Sequence, residues 1–398
     1  SPPELLPERR SEEATGTSPP CHRSNNPPFT PIVCPSITSL ALNNLARHAL
    51  PGYAIGVPKS IGVAELANCL SDGEPTFTAI AADVLKPEKH CDEIGQAIKT
   101  CSVILDLSAS VSVARHLSTK VESDARRVSL FLNPSGDDLV LLSEDRLRKF
   151  PLDCLEMQYY RALVNDESLI GHFTPIDVRP RYGQSCRDVT SRIPQDTMAL
   201  HAAIGSRAFR RAVAEDGPMI SIWRADRALA VRQVTIEPAR VTGFSVGEWR
   251  VRTDSKLLDT LHALRRSKLP NETGGVLLGS IDLDRKTVYV VDTLPSPPDS
   301  DEWPTLYIRG SRGLKSQVER VGKVTDGALH YLGEWHSHPN GCSTAPSNDD
   351  LKVFSWLTEI MDAEGLPALM MIVGARRRTS CFLGKMERIE NLIPCTRS

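Results

Sequence analysis

Apolar residues recur along this chain at two spacings, and the order in which those spacings alternate divides it into three parts. Residues 1–36 are rich in Pro, Ser and charge and keep neither a period of 2 nor one of 3.6, so they are predicted to be a disordered arm. From about Asn43 to Ala214 helix and strand patterns alternate. Lys59 to Leu70 is predicted helical, with Ile61, Ala64, Leu66 and Ala67 near one face. Thr76–Ala82 reads as a short strand and Asp92–Lys99 as a helix. Ser102–Leu107 is a buried-strand run, Val128–Leu132 and Leu139–Leu142 are further strands, and a helix from about Ala199 to Val213 closes the region. Strands separated by helices predict a mostly parallel sheet with helices on its faces. Ala214–Gly247 reads as a connector.

A second α/β pattern opens near Glu248. Leu257, Leu261 and Leu264 form an i, i+4, i+7 stripe that Pro270 brings to an end. Strands are predicted at Gly275–Leu278, Thr287–Val291, Tyr331–His336 and Ala368–Val373, and helices at Gly313–Val321 and Ser347–Met361, with a proline-rich excursion over Pro295–Pro304. Helices flanking a mixed sheet are expected. The boundaries assigned are residues 37–235 for the first folded unit and 245–390 for the second, with no internal repeat.

Length and composition narrow the classes. A chain of 398 residues with 40% hydrophobic and 24% charged residues suits two globular domains and a tail. A formal net charge of −2 argues against a general nucleic-acid binder. Ten cysteines without a C-x-x-C pair form neither a disulfide scaffold nor a cysteine zinc ribbon, so reduced thiols are expected. No apolar run reaches the roughly 18 residues of a membrane span, and no secretory core opens the sequence. A cytoplasmic protein without membrane partners is the expectation.

The most informative stretch is Gly333-Glu334-Trp335-His336-Ser337-His338-Pro339, followed by Pro346-Ser347-Asn348-Asp349-Asp350. Side chains two apart on a strand face the same way, so His336 and His338 can converge on one point. A catalytic zinc takes about three protein ligands and keeps a position for water, and Asp349 and Asp350 offer the third ligand at the start of the next helix. A further carboxylate must then handle the proton of that water, and a donor must steady the developing oxyanion. Taken singly, the histidines fit an exposed strand end and Ser347 fits an ordinary helix N-cap with acidic residues in the first turn. The combination favours the metal site.

H-S-H-P followed by P-S-x-x-D resembles the signature of the JAB/MPN (JAMM) zinc isopeptidases, and Glu272-Thr273-Gly274-Gly275-Val276-Leu277-Leu278-Gly279 resembles the upstream glutamate element of that family. The resemblance implies a JAB/MPN fold with His336 and His338 as zinc ligands. It also implies Glu272 as general acid/base and Ser347 as the residue that helps to hold the tetrahedral intermediate. For the third ligand, the family's count from the second histidine selects Asp349, whereas its Pro-Ser-x-x-Asp register selects Asp350. Asp350 is preferred because loops take a one-residue insertion more readily than a helix start does. Glu334 shares the strand face of His336 and ranks below Glu272.

Asn44-Leu45-Ala46-Arg47-His48 with Gly56-Val57-Pro58-Lys59 resembles part of a ThiF-type adenylating domain, a Rossmann-like fold. The likeness implies nucleotide-contacting positions at Asn44, Arg47 and Lys59, and a bacterial ThiF–JAB fusion. Cys186 resembles the thioester-forming loop cysteine of such enzymes, and equally fits a plain loop thiol. Two departures weigh against ATP as a cofactor: residues 1–51 contain Gly16 alone, so the phosphate-cradling turn is missing, and Ala109 stands where the family has a magnesium-binding aspartate, with Asp106 earlier in the strand.

The expected function is therefore zinc-dependent cleavage of the C-terminal linkage of a ubiquitin-like or sulfur-carrier protein, fused to an incomplete activating domain. The alternative is an ATP-dependent activating enzyme. A third reading is a binding protein without turnover, which the full Glu, His, His, Ser and Asp set disfavours. A homodimer is left open.

Overall fold

The structure is a computed structural model, and it describes residues 30–33, 39–41, 48–71, 76–173, 193–226, 228, 230–385 and 388–394. Two large sheets dominate, and one long buried helix lies between them.

The N-terminal part begins with strand β1 (Thr30–Val33), helix α1 (Lys59–Cys69) and β2 (Phe77–Ile80). β1 and β2 pair in parallel, with Thr30 opposite Phe77. This corrects the expectation of a wholly unstructured arm over residues 1–36. Helix α2 (Cys91–Thr100), β3 (Val103–Asp106), α3 (Val111–Thr119), β4 (Arg126–Leu132), β5 (Asp138–Ser143), α4 (Leu152–Asn165), α5 (Gln195–Ala214), β6 (Met219–Ala225) and β7 (Val231–Ile236) follow.

Strands β3 to β7 form one five-stranded sheet in sequence order. Only β3–β4 is parallel; β4–β5, β5–β6 and β6–β7 are antiparallel. The mostly parallel, Rossmann-like sheet expected here is therefore not what this region builds. Two reasons are visible. Asn133 receives the amide of Asp138 on its Oδ1 and so closes a tight hairpin between β4 and β5. The stretch read as a connector supplies two strands to this sheet, where Met219–Ala225 and Val231–Ile236 pair as a hairpin, and a third strand, Val241–Val246, to the other sheet.

The C-terminal part comprises β8 (Val241–Val246), β9 (Trp249–Asp254), α6 (Ser255–Lys268), β10 (Gly274–Asp282), β11 (Thr287–Pro295), β12 (Asp301–Trp303), β13 (Leu306–Ile308), α7 (Leu314–Val324), β14 (His330–Ser337), α8 (Asn348–Ala363), β15 (Ala368–Val373), β16 (Thr379–Lys385) and β17 (Arg388–Pro394). The expected mixed sheet closes on itself as a barrel in the order β10-β11-β9-β8-β17-β16-β15-β14, while β12 and β13 stand apart as a small hairpin. The barrel takes its strands from Val241 to Pro394.

Helix α6 forms where the leucine stripe places it. Asp254 caps it by accepting the amides of Lys256 and Leu257, and Leu257 and Leu261 enter the barrel interior beside Leu277, Val288, Trp335 and Met371. Outside the barrel, Phe354, Leu357 and Met361 of α8 cover Met370, Ile372 and Phe382.

Helix α4 is one of several elements that patterning did not reveal, with α3, β9 and β16 among the others. Eleven of its fourteen residues are buried, which requires cover on more than one side. One apolar cluster joins Leu155, Tyr159 and Leu163 of α4 to Phe131, Val140 and Ile220 of the N-terminal sheet and to Val276, Leu278 and Val291 on the outer face of the barrel. Its polar side chains are matched as buried groups must be. Asp153 accepts from Ser118 and from the Tyr289 hydroxyl, both at 2.7 Å, and Gln158 exchanges two hydrogen bonds with the Ala239 backbone. Among the described residues, no helix is long and apolar enough to cross a membrane.

Candidate metal centre

Strand β14 carries His336 near its end, His338 lies one residue past it, and a bulge interrupts the strand upstream. The pairing of β10 with β14 slips by one residue, so that Leu277 faces Gly333 but Leu278 faces Tyr331. Leu332 and Trp335, three apart, can then both enter the barrel core, which regular alternation would forbid. His336, the strand neighbour of the inward-facing Trp335, lies on the opposite face. Glycine is required at the bulge: Gly333 has φ +150°, and a Cβ there would lie 1.9 Å from the Leu369 carbonyl oxygen.

His336 Nε2 and His338 Nε2 are 3.3 Å apart. Asp350, in the first turn of α8, places Oδ1 at 3.2 Å from His336 Nε2 and Oδ2 at 3.7 Å from His338 Nε2. These three residues are the one group among the described residues whose donor atoms could together hold a metal ion. Asp349 is directed elsewhere: it is exposed and pairs with Lys352 at 2.9 Å.

Ser347 is the N-cap of α8. Its Oγ accepts the Asp350 amide at 3.1 Å, and its own amide donates to Asp350 Oδ2 at 2.7 Å, a reciprocal capping box that fixes the carboxylate. The N-cap reading of Ser347 is thus realised, and its hydroxyl proton is still available to donate.

His338 is oriented from three sides. Its amide donates to the Val373 carbonyl at 3.0 Å. Its Nδ1 lies against the Ser343 carbonyl, which can only accept, so Nδ1 carries a proton and Nε2 is the ring atom turned toward His336 and Asp350. Arg265, buried on α6, donates to the His338 carbonyl and to Asn340 Oδ1, each at 2.8 Å. Burial would lower the His338 pKa, but the hydrogen bonds to Asp350 and Ser343 and the charge of Glu272 outweigh it and raise it. For Asp350, burial works toward a higher pKa, yet hydrogen bonds to both histidines hold it well below the carboxylate range.

Glu272 lies just before β10, half-buried, with its amide donating to the Trp303 carbonyl at 2.9 Å. Burial raises its pKa, opposed by the nearby histidines and assisted by Asp350, which places it in the electrostatic field of the cluster. Glu334 is engaged away from it, accepting from Arg309 at 2.9 Å and from the Tyr331 hydroxyl at 3.3 Å. Two imidazoles and a carboxylate converging at these distances are a donor set that suits zinc, and a second carboxylate, that of Glu272, stands outside the set.

Of the N-terminal positions singled out in the sequence, Lys59, Asp106 and Ala109 lie among the described residues. Asn44, Arg47 and Cys186 lie outside the described residues. Lys59 opens α1 beside His48, whose pKa is lowered by burial and then by Lys59. Asp106 ends β3 and accepts from the Ser108 amide at 2.9 Å and the Ser129 hydroxyl at 3.2 Å. Ala109 has φ +56° and packs against the core shared with α4.

Residues 254–383 match the family of prokaryotic homologs of the JAB domain. A relative from Enterobacter hormaechei subsp. hoffmannii, named a CD-NTase/cGAS isopeptidase, is 38% identical over 104 residues, which are 26% of this chain and 56% of the relative. The chain thus spans little more than half the length of that protein. A relative of the same name from Escherichia coli is 32% identical over 139 residues, 33% of this chain and 78% of the relative. Among solved structures, a JAB1/MPN domain protein from Archaeoglobus fulgidus matches at 21% identity and TM-score 0.18, covering 31% of this chain and 82% of that one. A protein from Desulfitobacterium hafniense matches at 22% identity and TM-score 0.26, covering 35% and 87%.

Proposed function

From the premise that the chain belongs to the prokaryotic JAB family through residues 254–383, we propose that it is a zinc-dependent isopeptidase that releases a protein C-terminus from a lysine side chain. The observation that carries this reading is the convergence of His336, His338 and Asp350, with Glu272 near enough for their charges to act on it.

His336, His338 and Asp350 would hold the ion. When bound, it supplies a Lewis acid and lowers the pKa of a coordinated water. The rest belongs to the chain. The Glu272 carboxylate, made more basic by burial, takes a proton from the attacking water and returns it to the departing lysine amine. The Ser347 hydroxyl donates to the carbonyl oxygen as negative charge gathers there. The carbon–nitrogen bond breaks as the water oxygen bonds to the carbonyl carbon, giving a free carboxylate and a free amine with no acyl-enzyme.

The name of the relatives supports a CD-NTase as the released protein more than a ubiquitin-like or sulfur-carrier protein. No ATP chemistry is assigned to the N-terminal unit, whose five-stranded sheet is mostly antiparallel.

A conjugate of a purified CD-NTase, joined through its C-terminal carboxyl to a lysine of a reporter protein, tests the reading with the full chain. Cleavage that needs zinc and disappears in His336→Ala plus His338→Ala, with loss of bound metal, is expected. Equal metal content and cleavage in parent and double variant would reject it.

A further inference from the structure

Glu272 belongs to no helix or strand, so its carboxylate must be positioned by what surrounds its backbone. Two structures flank it. On one side is β14: the Thr273 amide donates to Ser337 Oγ at 3.1 Å and the Ser337 amide returns to the Thr273 carbonyl at 2.7 Å, so the residue between the two histidines is tied to the neighbour of Glu272. On the other side is the β12–β13 hairpin. The Glu272 amide donates to the Trp303 carbonyl at 2.9 Å, and the Thr273 hydroxyl donates to Glu302 Oε1 at 2.6 Å. Lys268, in the last turn of α6, closes the arrangement by donating to Glu302 Oε2 at 2.6 Å.

The hairpin is also seated against the start of β10. A Cβ on Gly274 would lie 2.3 Å from the Tyr307 ring and 2.3 Å from the Trp335 carbonyl oxygen, so the backbone there fits without slack. Thr273 is itself buried, at 3% exposure, while the Glu302 side chain keeps 15%. A hydroxyl proton given to a nearly buried carboxylate is costly to lose, because the acceptor is then left without that partner.

We propose that Thr273 and Glu302 are positioning residues for the proposed acid/base, forming a brace that hangs Glu272 between the histidine strand and the hairpin. The inference rests on the isopeptidase reading. It adds that the hairpin is part of the machinery that sets the geometry of Glu272, although no hairpin side chain need touch the reacting atoms. Catalysis is sensitive to such placement, since a shift of about 1 Å at a reacting group can cost on the order of 10²-fold in rate.

Thr273→Val keeps the shape of the side chain and removes the hydroxyl, Thr273→Ser keeps the hydroxyl, and Glu302→Ala removes the acceptor. With the CD-NTase–lysine conjugate as substrate, Thr273→Val should lower kcat by roughly 10- to 100-fold while KM stays within about twofold. Bound zinc should be unchanged, and Thr273→Ser should restore turnover. Deuterium exchange, which needs no substrate, should accelerate by about tenfold or more at the Glu272 amide in Thr273→Val but not over residues 330–337. The losses in Thr273→Val and Glu302→Ala should not add in the double variant, as for two ends of one contact.

Normal kcat and normal exchange in Thr273→Val, beside an inactive Glu272→Gln, overturn the brace alone. A loss that follows zinc content or appears in KM also overturns it. If Glu272→Gln itself turns over normally, the acid/base reading fails and this inference fails with it.

Discussion

Arg161 and Asp254 meet across the seam between the two halves of the molecule, Nη1 of one lying 2.8 Å from Oδ2 of the other. The same guanidinium nitrogen donates to the Val291 carbonyl at 3.1 Å, and Asp254 is also the cap of α6. A helix of the N-terminal part is thereby locked to the helix that carries Arg265 and, through it, the His338 carbonyl.

Both charges are buried, so removing one should be far more costly than breaking a surface pair. Arg161→Ala should destabilise the chain by about 3–5 kcal/mol, with Asp254 left facing helix amides alone. Denaturant unfolding of the two proteins measures this. A change below about 1 kcal/mol would show that the α6 amides suffice to hold Asp254.

The two adjacent aspartates at the start of α8 separate cleanly by geometry. Asp350 faces both imidazoles and is held by the Ser347 capping box, whereas Asp349 is exposed and paired with Lys352. Asp350→Ala should therefore strip most bound zinc, and Asp349→Ala should leave it within about twofold of the parent. Metal analysis of proteins purified in parallel decides it. Greater loss from Asp349→Ala would restore the other register.

Much of this site was legible because its signals are local. Histidines two apart must share a strand face, and Ser347 with Asp350 keeps the spacing of a helix cap. What escaped the sequence reading depends on distant partners. Leu152, Leu155, Tyr159 and Leu163 of α4 do form a stripe, but Asp153, Glu156 and Arg161 between them look solvent-facing until Tyr289, Arg115 and Asp254 are brought against them. Arg265 and Thr273 were passed over for the same reason: an arginine on a helix and a threonine before a strand carry no mark of the carbonyl or carboxylate they bind. The strand directions of the N-terminal sheet are not written in the pattern, because alternation reports a strand and is silent about its neighbour. The Asn133 hairpin that makes β4 and β5 antiparallel spans only a few residues.

His262 gives a pH dependence that can be separated from the metal centre. It is buried on α6 with Nε2 3.3 Å from the Thr379 hydroxyl. Burial, then Arg377, Arg265 and Arg266, bring its pKa down to about 4. The folded chain thus keeps it neutral, while an unfolded chain protonates it near 6.5. Its contribution is complete above that value and is lost as pH falls toward 4, where protons favour the unfolded state. Stability should therefore decline between about pH 6.5 and 4 more steeply in the parent than in His262→Gln. Parallel stability curves for the two proteins would assign the acid sensitivity to other groups.

Glu272→Gln is the sharpest probe of the chemistry. Glutamine has nearly the shape of glutamate and keeps hydrogen-bonding capacity, so the backbone contact to Trp303 and the Thr273–Glu302 link should persist. Zinc content should stay at the parent level, because the donor set is His336, His338 and Asp350. What the amide cannot do is accept a proton from water and return it to an amine. Turnover of the conjugate should accordingly drop by roughly 10²–10⁴-fold, the usual contribution of a general acid/base, with the loss in kcat. Single-turnover cleavage at saturating enzyme isolates that step from product release. A loss below about tenfold at full zinc occupancy would move the proton-transfer role elsewhere. Glu334 would be the first place to look, although Arg309 and Tyr331 now hold its carboxylate. Releasing that carboxylate with Arg309→Met in the Glu272→Gln background would then raise turnover if Glu334 can substitute, and leave it unchanged if it cannot.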